Sequence, residues 1–130
     1  EVINYSFCNA ASLGRIGLSG NDPRLQTVPI LNPLTEDQGV MRTTLVPSLL
    51  ETAARNLAYR SEDLALFELR PVFQPVADAD LPQESLRLKA ILCGRREPLG
   101  WSQSDAKVDF YDMKGAVEEL LSGLRITGLT

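Results

Sequence analysis

The stretch "TTLVPSLLETAARNLAYR", residues 43–60, contains the clearest periodicity in the sequence. Its apolar residues recur every three or four positions, as in an amphipathic helix. Thr43 or Thr44 can supply the N-cap hydroxyl, and Pro47 fits the first turn, where helical N–H groups lack partners. Glu51 and Arg55 stand four apart in the order that favours an ion pair. We therefore predict a helix over about 44–60 with an apolar stripe of Leu45, Leu49, Leu50, Ala53, Ala54, Leu57 and Ala58.

The connector that precedes this helix, "LNPLTEDQGVMR" (31–42), is unusually rich in distinctive residues. It combines Asn32-Pro33, the acidic pair Glu36-Asp37 and the Met41-Arg42 step. A loop that only reverses the chain needs a few polar turn residues. We therefore expect this connector to hold a particular shape or to contact something. The acidic pair could bind a metal, although adjacent carboxylates in a loop are usually solvated.

The other segments predict an α+β fold. Strands 64–73 and 86–94 follow each other without a crossover helix, which favours antiparallel pairing. Asn9 can cap a short helix, and Asp112 can cap a final one over about 112–123. We expect one domain, residues 1–130, with a mainly antiparallel sheet flanked by helices. The remaining predicted elements are short strands at 2–7 and 27–31, an extended segment at 108–113, and a strand opening in "RITGLT" (125–130).

Composition narrows the function classes. The 130 residues are 44% hydrophobic and 23% charged with a net charge of −4, which is poor for an autonomous nucleic-acid binder. There is no histidine, so a Ser-His-Asp triad cannot form within this chain. Cys8 and Cys93 lack CxxC spacing and are interpreted as buried free thiols, with disulfide or metal roles as alternatives. No apolar run reaches the length of a membrane span. A start without Met suggests a piece of a longer protein.

Few residues could carry chemistry by themselves. Glu68 lies on a strand between apolar neighbours, where an ion pair with a nearby Arg is commoner than a functional acid. The cluster of Arg95, Arg96 and Trp101 could contact RNA, although a solvated loop anchored by the Trp is the more frequent arrangement. The residues alone indicate a soluble α+β domain without a self-contained active site.

Four ordered segments resemble a known family: "EVINYSF", "LNPLTEDQGVMRTTLVPSLLETAARNLAYR", "LALFELRPVF" and "VDFYDMKGAVEELL". They are similar to the catalytic-like module of the β subunit of bacterial phenylalanyl-tRNA synthetase. The most specific is Asn-Pro, then Met-Arg-Thr-Thr-Leu-Val-Pro and the helix. The resemblance covers residues 1 to about 124.

The resemblance implies a truncated class II aminoacyl-tRNA synthetase-like fold that has lost its catalytic residues. It implies a structural partner of the catalytic α subunit in an (αβ)₂ assembly in the cytoplasm. ATP, magnesium and tRNA then belong to the whole enzyme, and this segment alone is expected to be inactive, with no cofactor of its own. The residues expected at a subunit interface are Asn32, Pro33, Met41, Arg42, Leu45, Leu49 and Tyr59.

One departure and one alternative accompany the resemblance. The family pattern Phe-Glu-hydrophobic-Gly-Arg-Val-Phe reads here with Arg70-Pro71 in place of Gly-Arg, which puts a special backbone conformation in doubt and removes one ladder donor. The alternative is an independent α+β binding module of unknown ligand. In isolation we expect the chain to self-associate, most simply as a symmetric dimer through the 45–60 helix or an edge strand.

Overall fold

The computed structural model describes residues 1–97, 100–101, 105–126 and 128. Two short 3₁₀ helices, Pro23–Leu25 and Glu36–Gln38, lie between the regular elements. In chain order the strands and helices are β1 Phe7–Cys8, α1 Ala11–Arg15, β2 Val28–Pro29, β3 Val40–Met41, α2 Val46–Ala58, β4 Leu64–Gln74, β5 Gln83–Cys93 and α3 Phe110–Gly123. The described helices include none long and apolar enough to cross a membrane.

All described strand pairs are antiparallel, so the predicted α+β class with antiparallel sheets is confirmed. A small three-stranded sheet has the order β1-β3-β2, and a separate hairpin pairs β4 with β5. The hairpin register runs from Leu64 opposite Cys93 to Gln74 opposite Gln83. The strand predicted at 2–7 was wrong in extent, because only Phe7–Cys8 forms ladder pairs.

Helix α2 packs on the hairpin and buries Leu49 and Ala53, as its stripe predicted. Pro47 lies in the first turn, also as predicted. The predicted caps were wrong: Leu45 is the N-cap residue, and the Thr43 hydroxyl instead donates to the carbonyl of Arg24. Thr44 Oγ1 accepts only a long hydrogen bond of 3.4 Å from the N–H of Val46.

The predicted Glu51–Arg55 pair is also replaced. Glu51 lies 3.1 Å from Arg15, on the short helix α1. The N-cap residue of α1 is Ala10 rather than the predicted Asn9, although Asn9 Oδ1 accepts a 2.9 Å hydrogen bond from the N–H of Ala11, the first helical residue. The carboxylate of Glu51 therefore forms an ion pair between two helices instead of the predicted pair within α2.

Helix α3 starts earlier than predicted. Asp109 is the N-cap, and Asp112 is the N3 member of a capping box rather than the cap. The segment 108–113, predicted to be extended, is therefore mostly helical. None of the described α3 side chains is buried. The predicted strand in "RITGLT" falls partly on residues outside the described set, while Arg125 occupies a left-handed turn with φ of 56°.

The buried apolar core is small. It consists of Leu13, Leu45, Leu49, Ala53, Leu64, Val72 and Phe73. The accessible surface is 9769 Å², whereas a compact monomer of this mass has roughly 6,800 Å². Apolar side chains contribute to this surface, including Leu31, Leu34 and Leu81, each more than three-quarters exposed. The fold therefore presents apolar surface that a compact monomer of this size would bury.

Candidate functional site

The connector and strand β4 meet at Arg42. The N–H of Arg42 donates to the carbonyl of Ser6 at 2.9 Å, and the N–H of Phe73 donates to the carbonyl of Arg42 at 2.9 Å. Arg42 thus lies between the N-terminal segment and the end of β4. The side chain of Arg42 therefore lies where the N-terminal segment, the connector and β4 meet.

Arg42 and Glu68 form a buried ion pair. Nη1 of Arg42 lies 2.7 Å from Oε1 of Glu68, and the two side chains are 2% and 0% exposed. The guanidinium also donates from Nε to the carbonyl of Pro71 at 3.1 Å and from Nη1 to the carbonyl of Tyr5 at 3.3 Å. Buried charges are tolerated when they are paired and hydrogen-bonded in this way.

Asn4 extends the pair into a network. The N–H and the side-chain amide of Asn4 donate to the two oxygens of Glu68, at 3.2 and 2.8 Å. Asn4 Oδ1 in turn accepts a 2.9 Å hydrogen bond from the hydroxyl of Thr52 on α2. The network links the N-terminal segment, the connector, α2 and β4. The interpretation of Glu68 as an ion-pair partner of an Arg is confirmed.

The predicted interface residues divide into two groups. Arg42, Leu45 and Leu49 are buried within the chain, and Met41 is half-buried in β3. Asn32, Pro33 and Tyr59 are exposed. The buried residues can affect a partner only by shaping the connector and α2, whereas the exposed ones are available for direct contact.

The loop around Asn32 and Pro33 also carries two exposed leucines that sequence reasoning did not select. Leu31 is 93% exposed and Leu34 is 91% exposed. The acidic pair that follows lies in the 3₁₀ helix Glu36–Gln38, where Asp37 accepts a 3.0 Å hydrogen bond from the amide of Asn9. Within the described ranges, no three His, Cys, Asp or Glu side chains come together as a metal site.

A groove of about 720 Å³ opens between the N-terminal segment and α2. Ile3, Tyr5 and Phe7 line one side, and the rings of Tyr5 and Phe7 stack with centroids 5.9 Å apart. The polar face of α2 lines the other side with Ser48, Glu51, Thr52 and Arg55. The alternation of Ile3, Tyr5 and Phe7 in the sequence indicated that these three side chains lie on one side, since alternate residues of an extended segment share a face.

The two cysteines are half-buried and free. Burial is the largest effect on Cys8 and raises the pKa of its thiol. A thiol with a raised pKa is a weak nucleophile at neutral pH. The predicted free thiols are confirmed, although neither is fully buried.

The predicted RNA-contact residues, Arg95, Arg96 and Trp101, have different surroundings in the structure. Arg95 binds Asp63 at 2.8 Å, and Arg96 binds Asp112 at 2.7 Å. The hydrogen bond to Asp63 raises the pKa of Arg95, and that to Asp112 raises the pKa of Arg96. Trp101 is fully exposed, so the alternative in which it anchors the loop was wrong. Both guanidiniums already have carboxylate partners.

Gly94 positions this cluster. It has a φ of 92°, and a Cβ at this position would lie 2.3 Å from the carbonyl oxygen of Glu62. Only glycine permits this close approach of the end of β5 to the start of β4. The turn directs the N–H of Arg95 to Asp63, at 2.8 Å. That hydrogen bond, together with the guanidinium, lowers the pKa of Asp63.

The departure at Arg70-Pro71 does not interrupt β4, which runs from Leu64 to Gln74. The replacement of Gly by Arg70 put a special backbone conformation in doubt, and Arg70 indeed has no positive φ. Arg70 does lie directly opposite Arg87, and like charges in that position are destabilising.

Residues 1–130 match the family model described as "Phenylalanyl tRNA synthetase beta chain CLM domain". The chain is 58% identical over 130 residues to the phenylalanine–tRNA ligase beta subunit of Syntrophotalea carbinolica, covering 100% of this chain and 16% of that protein. It is 49% identical over 128 residues to the subunit of the same name from Geobacter sulfurreducens, covering 98% of this chain and 16% of that protein. For the subunit from Moorella thermoacetica the identity is 42% over 126 residues, covering 97% of this chain and 15% of that protein. The chain thus spans 15 to 16% of the length of these curated relatives.

Proposed function

The chain belongs to the phenylalanyl-tRNA synthetase beta chain family, and from this premise we propose that it is a non-catalytic, class II synthetase-like core of a phenylalanine–tRNA ligase. In this role it supports assembly with the catalytic α subunit, and the assembled cytoplasmic enzyme charges tRNA with phenylalanine at the expense of ATP. The chain contributes shape and contact surface rather than reacting groups.

The single observation that carries the proposal is the connector at Arg42. Its buried pair with Glu68 fixes the connector against β4, while the loop before it leaves Asn32, Pro33, Leu31 and Leu34 exposed. A rigid base under an exposed apolar loop is suited to a specific protein contact, because little further ordering is needed on binding.

The described residues do not fit a magnesium site of their own. Both oxygens of Glu68 accept hydrogen bonds within the chain, and the described acidic residues form no cluster of metal-ligand type. We therefore assign magnesium to the rest of the enzyme, and we propose that ATP is bound there too. Phenylalanine-dependent exchange of pyrophosphate into ATP by the purified chain would contradict this assignment.

Assembly is tested by mixing the purified chain with the catalytic α subunit and measuring co-elution. The variant Leu31→Asp/Leu34→Asp places two charges in the exposed loop and should weaken co-elution by at least ~10-fold in affinity. Leu81→Asp is the matched control, because Leu81 is similarly exposed, at 79%, in the β4–β5 loop. Equal binding by all three proteins would overturn the role of the loop.

Contact with tRNA is a separate part of the proposal. Arg95 and Arg96 would have to release Asp63 and Asp112, or bind a phosphate with Nη groups that the carboxylates leave open. Arg96→Ala should then lower tRNA affinity of the assembled enzyme and reduce its salt dependence. An unchanged salt slope would remove Arg96 from the tRNA surface.

The second candidate is an independent binding module, and the groove beside Tyr5 and Phe7 favours it. At about 720 Å³ it is large enough for a small ligand. Failure to co-elute with the α subunit, together with ligand-dependent shifts of the NMR signals of Tyr5 and Phe7 in a screen, would favour this function.

A further inference from the structure

Strand β4 has a second edge, opposite the edge that pairs with β5. On this second edge the carbonyl of Phe67 accepts a hydrogen bond from the N–H of Val2 at 2.9 Å, and the N–H of Phe73 donates to the carbonyl of Arg42 at 2.9 Å. The carbonyl of Pro71 accepts from Nε of Arg42 at 3.1 Å. A residue of an antiparallel strand directs its backbone nitrogen and carbonyl to the same edge, and alternate residues use alternate edges. The backbone nitrogen of Pro71 therefore faces the junction at Arg42 and not β5.

The side chain that faces Pro71 can only donate hydrogen bonds, because a guanidinium carries N–H donors and no acceptor. Nη1 of Arg42 donates to Oε1 of Glu68 at 2.7 Å and to the carbonyl of Tyr5 at 3.3 Å. The side chain of Arg42 is 2% exposed, so water has little access to the groups beside it. A backbone N–H at position 71 would therefore face a donor in a buried place, and leaving a buried donor without an acceptor is costly.

We propose that Pro71 is a positioning residue for Arg42. Because proline has no backbone N–H, the edge of β4 at this position offers the guanidinium an acceptor and no competing donor. The pairing with β5 continues through Pro71 and its partner Leu86, so the donor that proline removes is not one that β5 uses. This gives a physical reason for the proline in the Arg70-Pro71 departure. The inference concerns the connector on which the proposed function rests, but it is tested on the chain alone.

A proline also stabilises a protein without any contact, because it restricts the unfolded chain. Pro71→Ala removes this restriction and adds an N–H at the same time, so a loss of stability in this variant alone does not identify the cause. A main-chain ester with lactic acid at position 71, made by semisynthesis, separates the two effects. Lactic acid has the side chain of alanine and an oxygen in place of the N–H. The ester therefore lacks the donor, as proline does, but also lacks the ring.

The ester should be more stable than Pro71→Ala. In urea denaturation followed by circular dichroism, we expect the unfolding equilibrium constant of Pro71→Ala to be at least ~5-fold larger than that of the ester, because only the alanine variant buries an unpaired donor. By NMR, the Nε–H of Arg42 should exchange with water faster in Pro71→Ala than in the ester. This change should exceed the change in the amides of the β4–β5 ladder, which report on opening of the hairpin.

The matched control is Pro29, an exposed proline in strand β2. Among the described strands β2 pairs only with β3. The N–H of the next residue, Ile30, donates to the carbonyl of Gly39 at 2.9 Å, just before β3, so the nitrogen of Pro29 faces the open edge. Water hydrates an N–H at that position, and Pro29→Ala should be at least as stable as the corresponding lactic acid ester. The control also measures the weaker acceptor strength of an ester carbonyl, which lowers stability at both positions.

Each outcome decides the proposal. An alanine variant that is less stable than the ester at position 71 but not at position 29 supports it, as does an unfolded Pro71→Ala beside a folded ester. Equal stability of the two proteins at position 71, or the same difference at both positions, overturns it. If both proteins at position 71 are unfolded, the ring and not the missing N–H is what the fold requires, and the proposal is also overturned. Because no α subunit is present, failure of the proposed assembly does not affect this result.

Discussion

The junction at Arg42 and the helix α3 differ in how much of each is buried in the molecule. At the junction, the side chains of Arg42 and Glu68 are almost completely buried, and their polar atoms other than Nη2 of Arg42 have partners within the chain. In α3, none of the described residues is buried, and Phe110, Tyr111, Val117 and Leu120 are all exposed. Polar residues are inside in one region and apolar residues are outside in the other.

The difference shows two reasons why a particular residue is needed at its position: folding of this chain and contact with a further surface. The junction is satisfied by contacts within this chain, so its residues are explained by folding. Helix α3 is held at its start by its capping box and by Arg96, which binds Asp112, and its apolar stripe is explained only by a further surface. Variants in the junction should therefore act on stability, and variants in α3 should act mainly on local helix order.

The largest expected effect is at Glu68. Glu68→Ala leaves the guanidinium of Arg42 buried without its carboxylate and leaves both donors of Asn4 without an acceptor. Removing one partner of a buried pair typically costs about 3–5 kcal/mol in the free energy of unfolding. Urea denaturation followed by circular dichroism measures this loss.

Glu51→Ala is the control for Glu68→Ala, since it removes the exposed pair with Arg15. Exposed pairs contribute about 0–1 kcal/mol. A loss at Glu68 no larger than the loss at Glu51 would contradict the view that the junction holds the fold together. Replacement of both Arg42 and Glu68 by apolar residues should cost less than Glu68→Ala alone, because no buried charge is then left unpaired.

The second prediction compares two leucines of α2. Leu49 is 4% exposed and Leu57 is 41% exposed. Leu49→Ala should lower the free energy of unfolding by about 2–4 kcal/mol, through lost apolar contact and a remaining cavity. Leu57→Ala should cost under about 1 kcal/mol, because solvent replaces the lost side chain. Similar losses for both variants in denaturant titrations would mean that α2 has no distinct buried side.

Periodicity predicted α2 and the hairpin well, because both are decided by a local alternation of apolar residues. It could not predict which apolar positions lie inside. Leu50 and Leu57 belong to the same helical stripe as Leu49, yet of these three only Leu49 is buried. In the hairpin, the Glu68 side faces inwards although it is the more polar side, because Arg42 and Asn4 satisfy the carboxylate there.

The misassigned pairs have a common physical reason. Glu51 was expected to pair with Arg55 but pairs with Arg15. Thr43 was expected to cap α2, but its hydroxyl donates to the carbonyl of Arg24. Arg95, which was considered for contact with RNA, pairs with Asp63. In each case the partner is distant in sequence and is brought close only by the fold. Local patterns identify groups that need partners but do not identify partners from other elements.

The third prediction concerns α3. Asp109→Ala removes the side chain that accepts hydrogen bonds from the N–H groups of Tyr111 and Asp112. The loss of an N-cap of this type costs about 1 kcal/mol of helix stability. Because α3 buries no described side chain, we expect faster amide exchange within the helix and little change in the global unfolding midpoint. Asp105→Ala is the control, and a large fall in the global midpoint for Asp109→Ala would show that α3 is part of the main cooperative unit.

The smallest expected effect is a local titration at Asp22, in the turn before β2. Hydrogen bonds from the side chain and the N–H of Arg24 lower the pKa of Asp22 from 3.8 to about 2. Since the pKa is lower in the folded chain than in the unfolded chain, the stabilisation is present above the unfolded value and is lost as pH falls from 3.8 to about 2.

Carboxyl-carbon NMR should give the lowered pKa in the wild type and a higher one in Arg24→Gln, where the backbone hydrogen bond alone remains. Asp63, whose pKa is lowered by Arg95, should titrate identically in both proteins because its partner is unchanged. An unchanged Asp22 titration in Arg24→Gln would mean that the guanidinium contact at 2.6 Å does not persist in solution, and the turn would then be held by its backbone alone.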